Sequence, residues 1–306
     1  MAVQNSLTTQ NNTAAPAQKP QKMALTAYLN QDNVLANISQ ALGETNKQRF
    51  VTSIISAVNA NPMIKDCTNQ SILVAALLGE TLKLSPSPQL GHFYFVPYSD
   101  KSKVLGKDEN GYPIYEKTAQ FQLGYKGYIQ LAIRSGQYKK INVIAIKKGE
   151  LKEFNPLDET IDVAIDIEHW DERENAETVG YYAMFELVNG FRKAIYWSKK
   201  QMKNHAYKYS PGYKKDLEKG WKNTFWSKDF DGMAYKTLIR QLISKWGVMS
   251  IDMQKAFEND IATENYASEN NYSEITPTPE PELSAPDAKS ALFGNDEPET
   301  LTGEII

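Results

Sequence analysis

Asn189-Gly190 separates two runs of aromatic and aliphatic residues, Tyr181 to Val188 and Phe191 to Trp197. Two such runs joined by Asn-Gly make a β-hairpin. The tight turn that matches the twist of paired strands needs positive φ at its central residues, which Asn and Gly accept. An antiparallel pair in mid-chain constrains the fold more than any other feature. A second hairpin is expected upstream. The run His92 to Tyr98 is aromatic and β-prone, Asn110-Gly111 marks a turn, and Ala119 to Leu123 returns. Its exposed loop would carry Lys101, Lys103 and Lys107. Ile141 to Lys147 reads as a further strand.

Helices are expected at Val34 to Leu42, Lys47 to Asn59 and Gln70 to Lys83, where Phe50, Ile54, Ile55 and Val58, and then Ile72, Leu73, Ala76 and Leu77, recur at helical spacing. Ser198 with Gln201 forms a capping box opening another helix. Hairpins mixed with helices, without regular crossovers, predict an α+β fold, an antiparallel sheet and hairpins packed with helices. No repeat at a solenoid period is present.

One core domain over 31–261 is expected between two tails. Residues 1–30, rich in Gln, Asn, Thr, Ala and Pro, predict a disordered arm, and 262–306 an acidic, Pro-rich disordered tail. Ala291, Leu292 and Phe293 form a short apolar cluster there, a common form of partner-binding segment. The chain has one cysteine, Cys67, which excludes an internal disulfide framework and fits a reducing cytosol. Three scattered histidines give no zinc spacing, and no metal or other cofactor is expected. No apolar run approaches the ~20 residues that span a bilayer, and the polar N-terminus lacks the apolar segment of a secretory signal. A cytoplasmic protein without membrane contact is expected.

The formal net charge of −3 conceals opposite segments. Asp260 to Ile306 holds 11 acidic residues against Lys289 alone, so the remainder is a basic body. Within it, Arg192 to Lys245 carries 14 basic and 4 acidic residues, and Glu153 to Phe191 carries 11 acidic and one basic. Such asymmetry points to a polyanionic partner, while for either run alone a solvated face is the favoured reading.

Two helices tilt that balance. From Tyr125 to Ser135, a helical wheel gathers Tyr125, Tyr128, Ile129, Ala132 and Ile133 on one side, with Lys126, Gln130 and Arg134 in line beside them. Gly124 and Gly127 bare the helix start, where free N–H groups favour an anion. In the second helix Tyr235, Leu238, Ile239, Leu242, Ile243 and Trp246 form the apolar stripe, and Lys236 and Arg240 sit on its edge. Asp229 and Asp231 precede it as caps or as partners of the cations. Between the helices, Lys199 to Trp226 alternates cations such as Lys199, Lys200 and Lys222 with Tyr207, Tyr209, Tyr213, Trp221, Phe225 and Trp226. Rings stack on bases while cations track a backbone, which suits single-stranded nucleic acid. The competing reading is amphipathic helices and a basic loop with its aromatics turned inward.

Catalytic motifs are weaker. Asp162, Asp166, Glu168 and Asp171 would serve a metal-dependent nuclease only if they converged on a phosphate. No Walker loop and no nucleophile elbow occurs.

Gln70 to Pro86, Gly91 to Tyr98, Ala119 to Tyr138 and Asp229 to Leu242 together resemble the RecT family of phage single-strand annealing recombinases. The resemblance covers roughly 33–261. It implies a non-enzymatic, ATP-independent protein that coats single-stranded DNA, pairs it with a complementary strand and holds the annealed duplex. Such proteins form rings or helical filaments in the host bacterium and act with an exonuclease partner and the host single-strand-binding protein. By motif, Lys126, Gln130 and Arg134 with Lys236 and Arg240 would hold the first strand. Tyr125, Lys199, Lys200, Lys222 and Trp226 are further expected DNA contacts, and Lys101, Lys103 and Lys107 would clamp the second strand, an assignment that rests more on their exposure and charge than on motif. The alternatives are a nuclease acting on single-stranded DNA and an adaptor working through its acidic tail.

Overall fold

The computed structural model describes residues 22–269 and 273–274, with side chains described over 22–260. The fold is α+β, as expected. The chain divides into two compact units, 1–55 and 56–306, with the boundary inside one helix. The first contains α1 (Leu25–Leu29), α2 (Asp32–Leu42) and the start of α3 (Glu44–Ala60). Leu29, Val34, Ile38, Phe50, Val51 and Ile54 are its buried residues. Helix α1 falls within the expected arm, whose residues 1–21 lie outside the described residues.

The second unit continues from α3 through a 3-10 turn (Pro62–Asp66) to α4 (Asn69–Thr81). Strands β1 (Phe93–Lys107) and β2 (Pro113–Leu123) pair antiparallel from Phe93↔Leu123 outward. Then follow α5 (Tyr125–Arg134), β3 (Tyr138–Lys147), the small hairpin β4 (Leu151–Asn155) and β5 (Thr160–Val163), and α6 (Trp170–Asn175). The Asn-Gly hairpin is β6 (Thr178–Leu187) with β7 (Arg192–Ser198). Four helices follow: α7 (Lys199–Tyr209), α8 (Pro211–Lys219), α9 (Phe225–Lys228) and α10 (Phe230–Trp246). Helix α11 (Ile251–Glu269) runs past the expected domain boundary, and β8 (Ser273–Glu274) pairs with Tyr98 and Ser99 of β1. The strands form sheets β2-β1-β8, β3-β6-β7 and β4-β5. The apolar cluster at 291–293 and the rest of the tail lie outside the described residues.

The sheet β3-β6-β7 is covered on both faces, so β6 is buried along nearly its whole length. On one face Ile146, Tyr182, Met184 and Ala194 meet Leu151, Ile161 and Val163 of the small hairpin. On the other lies α10, whose Leu238, Ile239, Leu242 and Ile243 are fully buried. Each such side chain contributes about 1.5–3 kcal/mol relative to exposure. Helix α5 packs on α10, and α11 packs on α5 and β2.

Two acids anchor α10. Asp229 caps it, its carboxylate accepting from the Gly232 N–H at 2.9 Å. Asp231 is no cap. It accepts from the Tyr181 hydroxyl at 2.5 Å and the Thr178 hydroxyl at 3.3 Å, tying the helix to β6. The Tyr181 phenol is pushed well above its usual range, first by burial and then by the Asp231 bond and charge. Tyr181→Phe is expected to lower stability by about 1.5–3 kcal/mol, the worth of a hydrogen bond to a charged group. It would appear as a reduced urea midpoint at unchanged m-value.

A third acid organises the α8–α9 turn. Buried Asp216 accepts from the N–H groups of Asn223 and Thr224 and from the hydroxyls of Thr224 and Ser227. Burial pushes its carboxyl up, but those donors outweigh it and hold it below the ordinary value. Its contribution to stability is therefore present above the unfolded value, near pH 4, and is lost as pH falls below it.

Candidate nucleic-acid interface

Helix α5 starts directly after β2 and is drawn close to the strand opening β1. Gly124 donates to the His92 carbonyl at 2.9 Å. A Cβ on Gly124 would stand 2.2 Å from the Gly91 carbonyl oxygen, and one on Gly127 2.1 Å from that of His92. These glycines are required by backbone-to-backbone packing. The sequence reading attributed them to an anion at the helix start.

Lys126, Gln130 and Arg134 do share one line of α5, but their surroundings differ. Lys126 is exposed, and its Cδ lies beside Gly91. Gln130 is half-buried. Arg134 donates to the carbonyls of Leu82 at 2.7 Å and Lys83 at 3.3 Å, satisfying the end of α4. His92 lies within the field of both cations. Its imidazole is held below the ordinary value, first by burial and then by Arg134 and Lys126.

On α10 the two cations meet an acid. Asp260 of α11 is fully buried and accepts from Lys236 Nζ at 3.0 Å, the Tyr128 hydroxyl at 2.7 Å and the Leu123 N–H at 3.2 Å. Arg240 places one guanidinium nitrogen 3.7 Å from the same carboxylate. Lys236 is only 6% exposed, so its ammonium is turned into the protein. Arg240 keeps part of its surface open, with 21% of its side chain exposed. The charge count placed Asp260 in the acidic tail, yet Met253, Ala256, Phe257 and Asp260 follow helical spacing and are all buried. An acid on the apolar stripe was the signal available in the sequence.

Two adjoining clefts share Met233 and Lys236. The larger, of about 280 Å³, is walled by Tyr94, Phe95, Tyr125, Phe225, Pro86 and Pro88, with Gln122, Asn61, Asp229 and Lys228 among its polar groups. The smaller, about 80 Å³, is lined by His205, Tyr209, Trp226, Thr237, Arg240 and Gln241. Tyr125 sets its ring edge-on to Tyr235 at 5.5 Å, and Tyr94 lies 6.2 Å from Phe225. Both Tyr94 and Tyr125 titrate above the ordinary range, chiefly through burial and then through the charge of Asp229.

The two clefts thus gather Tyr125, Lys236, Arg240 and Trp226, while Lys126 lines neither. Trp226 is 8% exposed and packs on Phe230 at 5.2 Å and Tyr213 at 6.1 Å, which makes it mainly a core ring. Half-buried Lys199 and exposed Lys200 and Lys222 line neither cleft. The exposed rings of the interleaved segment are Tyr207, Tyr209 and Trp221. Lys101, Lys103 and Lys107 lie on the outer half of β1, which stays paired to Lys107; they were expected in the loop. Lys103 is bound to Glu116 at 2.8 Å. The sequence reading missed Tyr94, Lys228 and Asp260. Alternation along His92 to Tyr98, which turns Tyr94 away from Phe93, would have flagged the first.

The acidic run does not converge. Asp162, Asp166, Glu168 and Asp171 are exposed, and Asp166 accepts from the backbone of Glu168 and His169. Among the described residues no group of three or more His, Cys, Asp or Glu is placed to hold a metal ion. Nor is any described helix long and apolar enough to cross a membrane.

Comparison with known proteins gives three findings. The model of the family described as RecT family matches residues 48–276. The uncharacterised protein YqaK of Bacillus subtilis (strain 168) is 39% identical over 236 residues, covering 77% of this chain and 72% of that one. Protein RecT of Escherichia coli (strain K12) is 28% identical over 255 residues, covering 82% and 85%.

Proposed function

This chain belongs to the RecT family, and from that premise we propose that it anneals complementary DNA strands without ATP, holding the first strand along the concave face between α5 and α10. Family membership gives it a role in DNA recombination and single-strand annealing. The observation that carries the finer reading is the pair of adjoining clefts, whose aromatic walls are lined also by Lys228, Lys236 and Arg240, with exposed Lys126 on the neighbouring helix α5. Lys126 and Arg240 reach phosphates, and Gln130 supports them. Buried Lys236 and the carbonyl-bound Arg134 act mainly by holding that face in shape. Phosphate contact releases counterions and is blind to sequence, so pairing with the incoming strand supplies the sequence test. The lysines of the outer β1–β2 hairpin steady that second strand. Oligomerisation multiplies weak contacts along the DNA, and an exonuclease and the host single-strand-binding protein deliver the substrate.

The test is fluorescence annealing of complementary oligonucleotides without ATP or metal, beside binding over a salt series. Lys126→Ala and Arg240→Ala are each expected to weaken binding to all sequences alike and to shallow the salt slope by about 0.7. Unchanged slopes in both folded variants would move the strand to another face. Absence of annealing by the unaltered protein would overturn the reading itself.

A further inference from the structure

The larger cleft offers more than a phosphate track needs, because most of its lining is apolar or aromatic. Its walls are apolar and aromatic, from Tyr94, Phe95, Tyr125, Phe225 and Met233. Lys228 and the buried Lys236 are its lining cations, and Lys126 lies outside the lining, beside Gly91. Its other lining polar groups include the amides Gln122 and Asn61 and the exposed carboxylate of Asp229. A flat heterocycle with an amino group suits that lining, because Asp229 can accept from an exocyclic N–H₂ while the rings cover its faces.

Resting on the strand-binding reading above, we propose that this cleft is a base pocket, taking one unstacked nucleobase of the bound strand. Lys126 and Lys228 hold the flanking phosphates, and Asp229 selects bases that carry an exocyclic amine. The occupant follows from the lining: aromatic walls suit the faces of a flat base, Asp229 is an acceptor for its amine, and Lys228 and Lys236 offset the charge of its phosphate. The position of Asp229 agrees, since its charge is felt by both tyrosine hydroxyls of the wall. Asp229 also caps α10, and Asn caps as well as Asp. Asp229→Asn therefore changes the pocket while sparing the helix.

Three oligomers of equal length separate the terms: oligo-dC, oligo-dT and an all-abasic strand with the same phosphates. Both pyrimidine strands are weakly stacked when free, so they differ chiefly in the amine. The unaltered protein is expected to bind dC about tenfold more tightly than the abasic strand, from base–aromatic contact. It should also favour dC over dT by about tenfold or more, the size of one hydrogen bond to a charged acceptor. Asp229→Asn should remove most of the dC preference and keep the abasic penalty. Phe225→Ala should shrink the abasic penalty. Equal binding of all three strands by the unaltered protein would overturn the pocket, as would an unchanged dC-to-dT ratio in Asp229→Asn. Both outcomes are read without Phe225→Ala, should that variant not fold. They also differ from failure of the strand-binding reading, in which none of the strands binds.

Discussion

Asp260→Ala is expected to lose about 3–5 kcal/mol of stability, the cost of removing one partner from a buried ion pair. The carboxylate has no exposed surface and serves Lys236, Tyr128 and the Leu123 N–H, with Arg240 close by. Alanine would leave a 6%-exposed ammonium, a fully buried phenol and a strand N–H without that acceptor. Against the roughly 5–15 kcal/mol that stabilises ordinary domains, this is a large fraction. Urea unfolding measures it directly. Asp260→Asn should lose less, because the amide oxygen still accepts hydrogen bonds while the charge is gone. Adding Lys236→Met to Asp260→Ala should return part of the loss, since apolar replacement of both partners is often nearly neutral. A single-variant loss under about 1 kcal/mol would mean that water reaches the pair and that it contributes as a surface bridge does.

Gly127→Ala is the second substitution of large expected effect. On an exposed helix the change would gain about 1 kcal/mol from propensity. Here the new methyl would stand 2.1 Å from the His92 carbonyl oxygen and 3.0 Å from its carbon. Neither is the end of a flexible side chain, so α5 must move away from β1. The net loss is expected to reach about 3 kcal/mol, the upper range for overpacking. Because α5 carries Tyr125 and Lys126, annealing should fall with it. Thermal unfolding beside the annealing assay reads both, and a variant as stable as the original would show that the strand yields easily.

Local chemistry made much of the fold legible. The Asn-Gly turn, the Ser198–Gln201 capping box and the apolar spacing of α2 to α4 are each fixed by a few neighbouring residues, and each was found where the pattern put it. What depends on distant partners was not legible. The wheel drawn for α5 turned Ile133 inward, yet it is 54% exposed while Leu131 is buried. Helices α10 and α11 both cover α5, and the buried arc is set by both, turned about a quarter turn from the one the wheel drew. The small hairpin β4–β5 was missed because short half-exposed strands carry little alternation. For the site, charge and spacing picked out the correct helices but could not rank their cations. Lys236 and Lys126 look alike in sequence; one is turned onto Asp260 and the other faces water, which only the packing of α11 decides.

The outer part of the β1–β2 hairpin differs physically from its base. Up to Asp100 the strand is largely buried, and from Ser102 to Lys107 every residue is exposed. Its register slips twice beyond Asp100, and Val104, Leu105 and Tyr112 carry apolar surface into solvent. A two-stranded ribbon without a covering layer is marginal alone. Its amide protons should therefore exchange through local opening, at a small fraction of the free energy needed to release those at Phe93 or Phe121. The molecule thus has an arm whose ordering can be coupled to an event at its tip while leaving the interior undisturbed.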